Sequence, residues 1–338
     1  MTNDTYKRLQ VRVMAIVQNT STSTSNANDL LPKVKDWIRT RYDRIMRSFP
    51  WDELNRSYNL SVTASTRDYS LRHDVEQIIK IWDTTHGFEI TALDIRDHIR
   101  FNAINLEVSG NVQTGNPDQY VDIGSKSCSA LMSIADQVQV LSTSASDVSP
   151  AVIRITGEVS GMPVGENITL TGVTAVASSN TFDASAELQI TAGSSSAVLT
   201  DLVGVVTVRE KTTTANVIAK LSPSERSPFY KWIRFSVMPA SAFTAQVWYK
   251  KRWLPLTNDN DAPLIPCANE IVEGVVADAL SEDGQESAAR TQEQKFSNSV
   301  TELWFSRRPR NLITQVVPDG GDPQSTAERN LYNFGASY

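Results

Sequence analysis

A change of composition between residues 137 and 208 constrains the fold of this chain more than any other feature. Ser, Thr, Val, Ala and Gly dominate this stretch, charged residues are sparse, and Phe182 is its only aromatic residue. Short segments of alternating polar and apolar residues are separated by turn-forming sequences such as Ser160-Gly161-Met162-Pro163. About six or seven short strands without helical periodicity are typical of a β-sandwich. We therefore predict an all-β module here.

The sandwich lacks the Cys…Trp…Cys spacing of true immunoglobulin domains, so only an immunoglobulin-like architecture is predicted for it. The flanking segments carry helical periodicity. Apolar residues from Tyr6 to Val17 predict a first helix, followed by a polar run over 19–28. A second helix is predicted from Asn28 or Asp29, either of which could cap it, to Pro50. Residues 268–280 and 288–305 predict a helical pair.

Alternating patterns predict strands between the helices. Residues 75–82 and 88–93 flank a turn-rich bend and predict a hairpin. Residues 230–237 and 243–249 predict a second, aromatic hairpin across the turn at 239–242. The predicted class is therefore α+β, with helical hairpins packed with an antiparallel sheet and an inserted all-β sandwich. The predicted domains are an N-terminal body at 1–136, the insertion at 137–212 and a C-terminal body at 213–338.

The charge balance and apolar segments narrow the possible partners. A net charge of −6 lacks the basic footprint of a dedicated nucleic-acid binder. An acidic wall could still let DNA slide past, because like charges do not adhere. No segment approaches the ~20 apolar residues of a membrane span, and the N-terminus lacks the apolar region of a signal peptide. We expect a protein of the cytoplasm, or one released by lysis.

Residue types that carry chemistry are scattered. His73, His86 and His98 lack metal-ligand spacing, and no nucleophile elbow or phosphate-binding loop is present. Cys128 and Cys267 are expected to be reduced thiols packed as small apolar groups. Residues 257–261 resemble a calcium loop in their oxygen side chains but lack the Gly and the distal Glu of an EF-hand. We predict a polar connection there, no metal, no cofactor and no enzyme activity.

Two features are candidates for contacts with partners. The second helix has a cationic face, on which Arg39, Arg41, Arg44 and Arg47 are the candidate contact residues. This face could be solvated, or it could dock on an acidic neighbouring subunit or on DNA phosphates. The C-terminal residues include large apolar side chains, where free tails are usually polar. They predict an arm that anchors in a groove of its own chain or of a neighbour, through Leu331, Tyr332, Phe334 and Tyr338.

The order of these segments resembles that of the head-to-tail adaptor, or connector, proteins of tailed bacteriophages. In the C-terminal half, aromatic strands lead into a loop with Asp then Pro and on into a long helical hairpin. In the N-terminal half, a helix ends at Phe49-Pro50-Trp51 and short strands follow up to Trp82. The segments of the C-terminal half are 232–235, 247–251, 254–266, 268–280 and 288–305. The resemblance covers most of the chain outside the sandwich.

The resemblance implies a ring-shaped homo-oligomer, a dodecamer, that joins the portal protein to tail or nozzle proteins. Genomic DNA would pass through its lumen without sequence-specific binding, and no membrane would be involved. It further implies a place in the neck of the virion, after assembly in the host cytoplasm. The insertion at 137–208 departs from small adaptors. Another tail-completion or tail-tube protein, a glycan-binding module and a glycan hydrolase remain as alternatives.

Overall fold

A computed structural model of the chain describes residues 4–20, 27–97, 113–195, 202–223 and 225–307. These residues form a mixed α and β structure that is mostly β, so the predicted α+β class is confirmed at this level. Helices α1 (Tyr6–Thr20) and α2 (Ala27–Ser48) precede the strands. Helices α3 (Ala268–Glu282) and α4 (Glu286–Arg307) follow them. The prediction of helices in these four places is confirmed.

The four helices share one hydrophobic core. We call these helices, together with the segments that pack into that core, the helical unit. Apolar residues recur at three- and four-residue spacing on each helix, so that each presents one apolar face to the others. Trp51 follows α2, is fully buried, and donates its indole N–H to the Ile45 carbonyl at 3.0 Å. The buried members from the helices include Tyr6, Leu9, Val13, Ile38, Tyr42, Ile45, Ile271, Val275, Phe296 and Val300.

The predicted polar connection at 257–261 holds the start of α1. The carbonyls of Asp261 and Asp259 accept the backbone N–H groups of Tyr6 and Lys7 at 2.7 and 3.0 Å. These N–H groups have no partner within their own helix, so an external acceptor stabilises the helix start. The Asp261 carboxylate in turn accepts the N–H groups of Thr257 and Asn258 at 2.8 and 2.7 Å. The loop therefore uses its oxygens to bind backbone.

A seven-stranded sheet forms the middle of the molecule, in the order β1-β16-β3-β4-β6-β14-β2. Its pairs are antiparallel except β4 with β6. Apolar side chains from both halves of the sheet, including Ile81, Ile233 and Val247, join one cluster that is separate from the core of the helices. The strands are β1 (Asn55–Val62), β2 (Asp68–Ser70), β3 (Val75–Asp83), β4 (Phe88–Ala92), β6 (Gln119–Lys126), β14 (Tyr230–Phe235) and β16 (Phe243–Lys251).

The predicted hairpin of β3 and β4 is confirmed, whereas the predicted aromatic hairpin is wrong. Strand β14 pairs with β6 and β2, while β16 pairs with β1 and β3. Between them, β15 (Met238–Pro239) pairs instead with β5 (Thr114–Gly115) and carries the chain from one half of the sheet to the other. The rings of Phe235 and Phe243 lie 5.9 Å apart within the core. Alternation predicts which face of a strand is buried, but it does not identify the neighbouring strand.

The charge-poor region folds into two small antiparallel sheets that we call the two-sheet unit. One sheet has the order β10-β7-β12-β13 and the other β11-β8-β9. Strand pairing continues to Leu221, past residue 212 where the sequence suggested a boundary. The strands are β7 (Asp136–Ser142), β8 (Val148–Val159), β9 (Met162–Thr171), β10 (Val176–Phe182), β11 (Gln189–Ser194), β12 (Val206–Glu210) and β13 (Val217–Leu221).

Both sheets of this unit contribute to one core around the fully buried Phe182. Gly157 makes room for that ring, because a Cβ there would lie 2.9 Å from Phe182 Cδ1 and 2.4 Å from Leu188 Cδ2. The chain enters the unit after Lys126 and returns at Tyr230, and these two residues are paired on adjacent strands. Both connections therefore leave the seven-stranded sheet at one point.

Candidate functional site

The most deeply placed of the candidate contact residues is Arg41, which is enclosed by α3 and α4. Its side chain is 8% exposed and binds Asp278 with two hydrogen bonds, of 2.8 Å from Nε and 2.5 Å from Nη2. Its Nη1 donates to Glu293 Oε2 at 2.7 Å. The guanidinium also lies 4.9 Å from the centre of the Phe296 ring. These contacts make Arg41, Asp278 and Glu293 a triad that joins three helices.

The environment of this triad keeps Arg41 charged. Burial alone would lower the pKa of Arg41, but hydrogen bonds and charge attraction from Asp278 and Glu293 outweigh it and raise that pKa. Gly274 of α3 allows the close approach, because a Cβ there would lie 2.7 Å from Arg41 Cδ. The triad therefore orients α2 against the α3–α4 pair.

Most other basic residues of α2 also have partners within the chain. Arg44 pairs with Glu293 at 2.5 Å, and Lys33 pairs with Glu282. Arg39 donates from Nε to the Leu256 carbonyl at 2.8 Å. Arg47 stays 70% exposed and pairs with Asp43 one turn earlier at 2.8 Å. Acidic residues of α3 and α4 in the same chain therefore pair with Lys33, Arg41 and Arg44 of this helix face.

Arg39 and Arg47 still line a groove of about 600 Å³ beside α2. Arg252, which follows β16, also lines it, and its guanidinium lies 5.0 Å from the centre of the Phe229 ring. Trp253 in the same wall donates its indole N–H to Asp43 at 3.1 Å. The lining of the groove thus combines basic and aromatic side chains with the carboxylates of Asp43 and Glu76. A role of these arginines in contacts with partners stays a prediction.

A cavity of about 400 Å³ lies where the helical unit, the seven-stranded sheet and the two-sheet unit meet. Glu225, on the segment that returns from the two-sheet unit, is buried there, with its side chain 1% exposed. Its Oε1 lies 3.5 Å from Arg252 Nη1, and neither atom has a hydrogen-bond partner within the described residues. Glu225 Oε2 accepts the Ser222 N–H at 2.9 Å. The pair therefore holds the return segment against β16.

The histidines and cysteines occupy unrelated places. His86 Nδ1 lies 2.7 Å from Oδ2 of the fully buried Asp83, which braces the turn between β3 and β4. His73 lines the cavity beside Glu225, and His98 lies outside the described residues. Cys128 and Cys267 are free and buried, as predicted, and burial raises the pKa of both thiols, that of Cys128 to about 11. A raised pKa keeps a thiol protonated and poorly nucleophilic.

Several large apolar side chains are exposed on separate elements. On the sheet, Trp248 of β16 is 44% exposed and Ile79 of the neighbouring strand β3 is 55% exposed. On the helices, Val11 is 65% exposed, and Leu31 and Phe305 are also exposed. The other candidate contact residues, Leu331, Tyr332, Phe334 and Tyr338, lie outside the described part of the chain.

The described residues contain no group of three or more His, Cys, Asp or Glu side chains placed to hold a metal ion. No helix among them is long and apolar enough to cross a membrane. Comparison with protein-family models gives no match, and comparison with curated proteins gives no significant match. The residues and their geometry are therefore the basis for a functional proposal.

Sequence reasoning missed the partners of Arg41. The apolar positions of α3 and α4 predict the helices but not these ion pairs. The acidic residues were a further signal, since Asp278 follows Gly274 by one helical turn and Glu293 precedes the apolar Phe296. The basic face of α2 has possible partners in these acidic residues, which lie next to the apolar faces of α3 and α4. That combination could have indicated ion pairs within the chain. Glu225 carries no comparable signal, because its burial depends on how the return segment crosses β16.

Proposed function

We propose that the chain is a head-to-tail adaptor of a tailed bacteriophage, a virion structural protein that forms a ring between portal and tail around the DNA exit channel. The observation that supports this most is that large apolar side chains are exposed on the sheet, at Trp248 and Ile79, and on the helices, at Val11 and Leu31. Exposed apolar groups mark association surfaces when they cluster. A ring built head to tail needs two different surfaces on each subunit.

The ion triad of Arg41 supports the same proposal. The body of a ring subunit must be rigid, because a small change in its shape repeated around the ring prevents closure. The triad fixes α2 against α3 and α4 by hydrogen bonds of 2.5 to 2.8 Å. We propose that the helical unit is the ring body, and that the net charge of −6 lets DNA pass without binding to the wall.

We further propose that the two-sheet unit is an immunoglobulin-like module on the outer side of the ring. Its seven strands in two antiparallel sheets around one core support this architecture. Both of its connections leave the seven-stranded sheet where Lys126 and Tyr230 are paired, so it can project without interrupting the sheet. Neighbouring tail or nozzle proteins are its proposed partners, and the portal protein is the partner of the ring body.

Ring formation tests the proposal. The purified chain is imaged by negative-stain electron microscopy, alone and mixed with the portal protein of the same phage. We expect rings, either with the chain alone or once portal is added. Particles that remain single subunits in both samples would contradict the proposal, and cleavage or binding of a polysaccharide by such subunits would favour a hydrolase or glycan-binding module.

A substitution at the sheet surface sharpens this test. Trp248→Asp places a charge in the proposed interface, and we expect it to reduce ring formation at least tenfold because a buried unpaired charge is costly. Met162→Asp is the matched control, since Met162 is an exposed apolar residue of the two-sheet unit. Equal ring formation by both variants would exclude Trp248 from the interface.

A further inference from the structure

A groove of about 550 Å³ lies between α1 and α2. It shares no lining residue with the groove at Arg39 and Arg47 or with the cavity at Glu225. Its apolar lining includes Val11, Met14 and Leu31, and Val11 and Leu31 are exposed. Lys7 and Lys35 also line it. Lys7 lies 3.5 Å from Asp259, and both of these side chains are largely exposed. We call this the α1 groove.

The lining of the α1 groove includes a buried amide nitrogen that has no hydrogen-bond partner among the described residues. Gln10 lines the groove and is buried, yet its Nε2 has no hydrogen-bond partner within the described residues. Buried amide donors are nearly always paired, so an unpaired one calls for an acceptor. A carbonyl of a bound peptide is such an acceptor, and an apolar peptide side chain would cover Val11 and Leu31 at the same time.

We propose that the α1 groove binds residues 331–338 of a copy of this chain. This segment carries Leu331, Tyr332, Phe334 and Tyr338 and no charged residue, which suits an apolar lining.

The length of the chain permits this contact. From Arg307, where α4 ends, to Leu331 there are 24 residue steps (331 − 307). An extended chain of this length spans up to about 80 Å, enough to reach the groove of the same subunit or of a neighbour. The inference deepens the proposed function and rests on it for its role, because a segment bound to a neighbouring copy would link ring subunits.

Site-specific photo-cross-linking in the full-length chain tests the contact. A photoreactive amino acid replaces Phe334, and the cross-linked peptides are identified by mass spectrometry. We expect cross-links to peptides of α1 and α2 that contain Met14 or Leu31. Cross-links confined to other surfaces, or none above a control with the photoreactive group at Met162, would overturn the inference. Groove cross-links in a sample that forms no rings would support the inference and contradict the ring.

Substitutions in the groove give a quantitative readout. Val11→Asp adds a charge where the apolar segment would lie, and we expect the cross-link yield to fall about tenfold or more. Arg8→Ala changes the net charge by the same amount on the same helix, at an exposed position that does not line the groove. We expect its yield to stay within about twofold of the unsubstituted chain, and circular dichroism checks that both variants fold. Equal losses in both variants would overturn the inference.

Discussion

The helical unit and the two-sheet unit use charged residues in opposite ways. In the helical unit, carboxylates bind arginine, and the Arg41 triad joins helices that are far apart in sequence. In the two-sheet unit, carboxylates mostly bind backbone N–H groups. Asp147 accepts those of Val203 and Gly204 at 2.7 and 2.9 Å, and the others that do so are Asp136, Glu166, Asp183 and Glu210.

This difference explains how a charge-poor module keeps its shape. Short loops expose backbone N–H groups that need acceptors, and a carboxylate can satisfy two of them at once. The helices satisfy their own backbone, so their carboxylates are free to fix the relative positions of whole elements. We infer that carboxylates stabilise individual backbone segments in the two-sheet unit, whereas in the helical unit they fix the positions of whole helices relative to one another.

The largest expected effect comes from Phe182→Ala in the two-sheet unit. Removing the only aromatic side chain that the strands β7–β13 contribute to this core should lower the free energy of unfolding by about 3–5 kcal/mol. Hydrogen–deuterium exchange should show the loss of protection in β7–β13, while α1–α4 stay protected. Equal loss of protection in the helices would show that the two units unfold together.

The second prediction compares the loss of stability on replacing the buried Arg41 with the loss on replacing the exposed Arg47 of the same helix. Arg41→Ala leaves Asp278 and Glu293 without their buried partner, and we expect a loss of about 3 kcal/mol in unfolding free energy by urea titration. Arg47→Ala removes an exposed pair on the same helix and should cost less than about 1 kcal/mol. Similar losses for both variants would mean that the triad does not hold the helices together.

A smaller loss of stability is expected at acidic pH. Burial acts to raise the pKa of Asp136, Glu166 and Glu210, but hydrogen bonds to these carboxylates outweigh it and lower each pKa below its ordinary value of 3.8 for Asp or 4.5 for Glu. Backbone N–H groups likewise lower the pKa of Asp183. As the pH falls, these carboxylates therefore become protonated at a higher pH in the unfolded chain than in the folded chain.

The stabilisation by these carboxylates should therefore be complete above about pH 4.5 and decline as the pH falls through the lowered values. Circular dichroism melts at several pH values measure the decline. Glu210→Gln should lower stability by about 1–2 kcal/mol at pH 7 and flatten the dependence below pH 4.5. An unchanged pH dependence would show that Glu210 does not contribute to it.

The helices and the place of the all-β region could be predicted from the sequence, because periodicity and composition are local properties. The sheet order could not, since β14 and β16 alternate alike but lie in different halves of the sheet. The partners of Arg41 lie on helices more than two hundred residues away, and that pairing depends on tertiary packing. The candidate contacts at 331–338 lie outside the described residues, so they remain predictions.

Cryo-electron microscopy of phage particles assembled with and without this chain tests the proposed adaptor role directly. We expect a ring of density between portal and tail that fits the helical unit and the seven-stranded sheet, with the two-sheet unit outside. We also expect particles that lack the chain to have portals without tails. Tailed particles with an unchanged neck in its absence would rule out the proposed role.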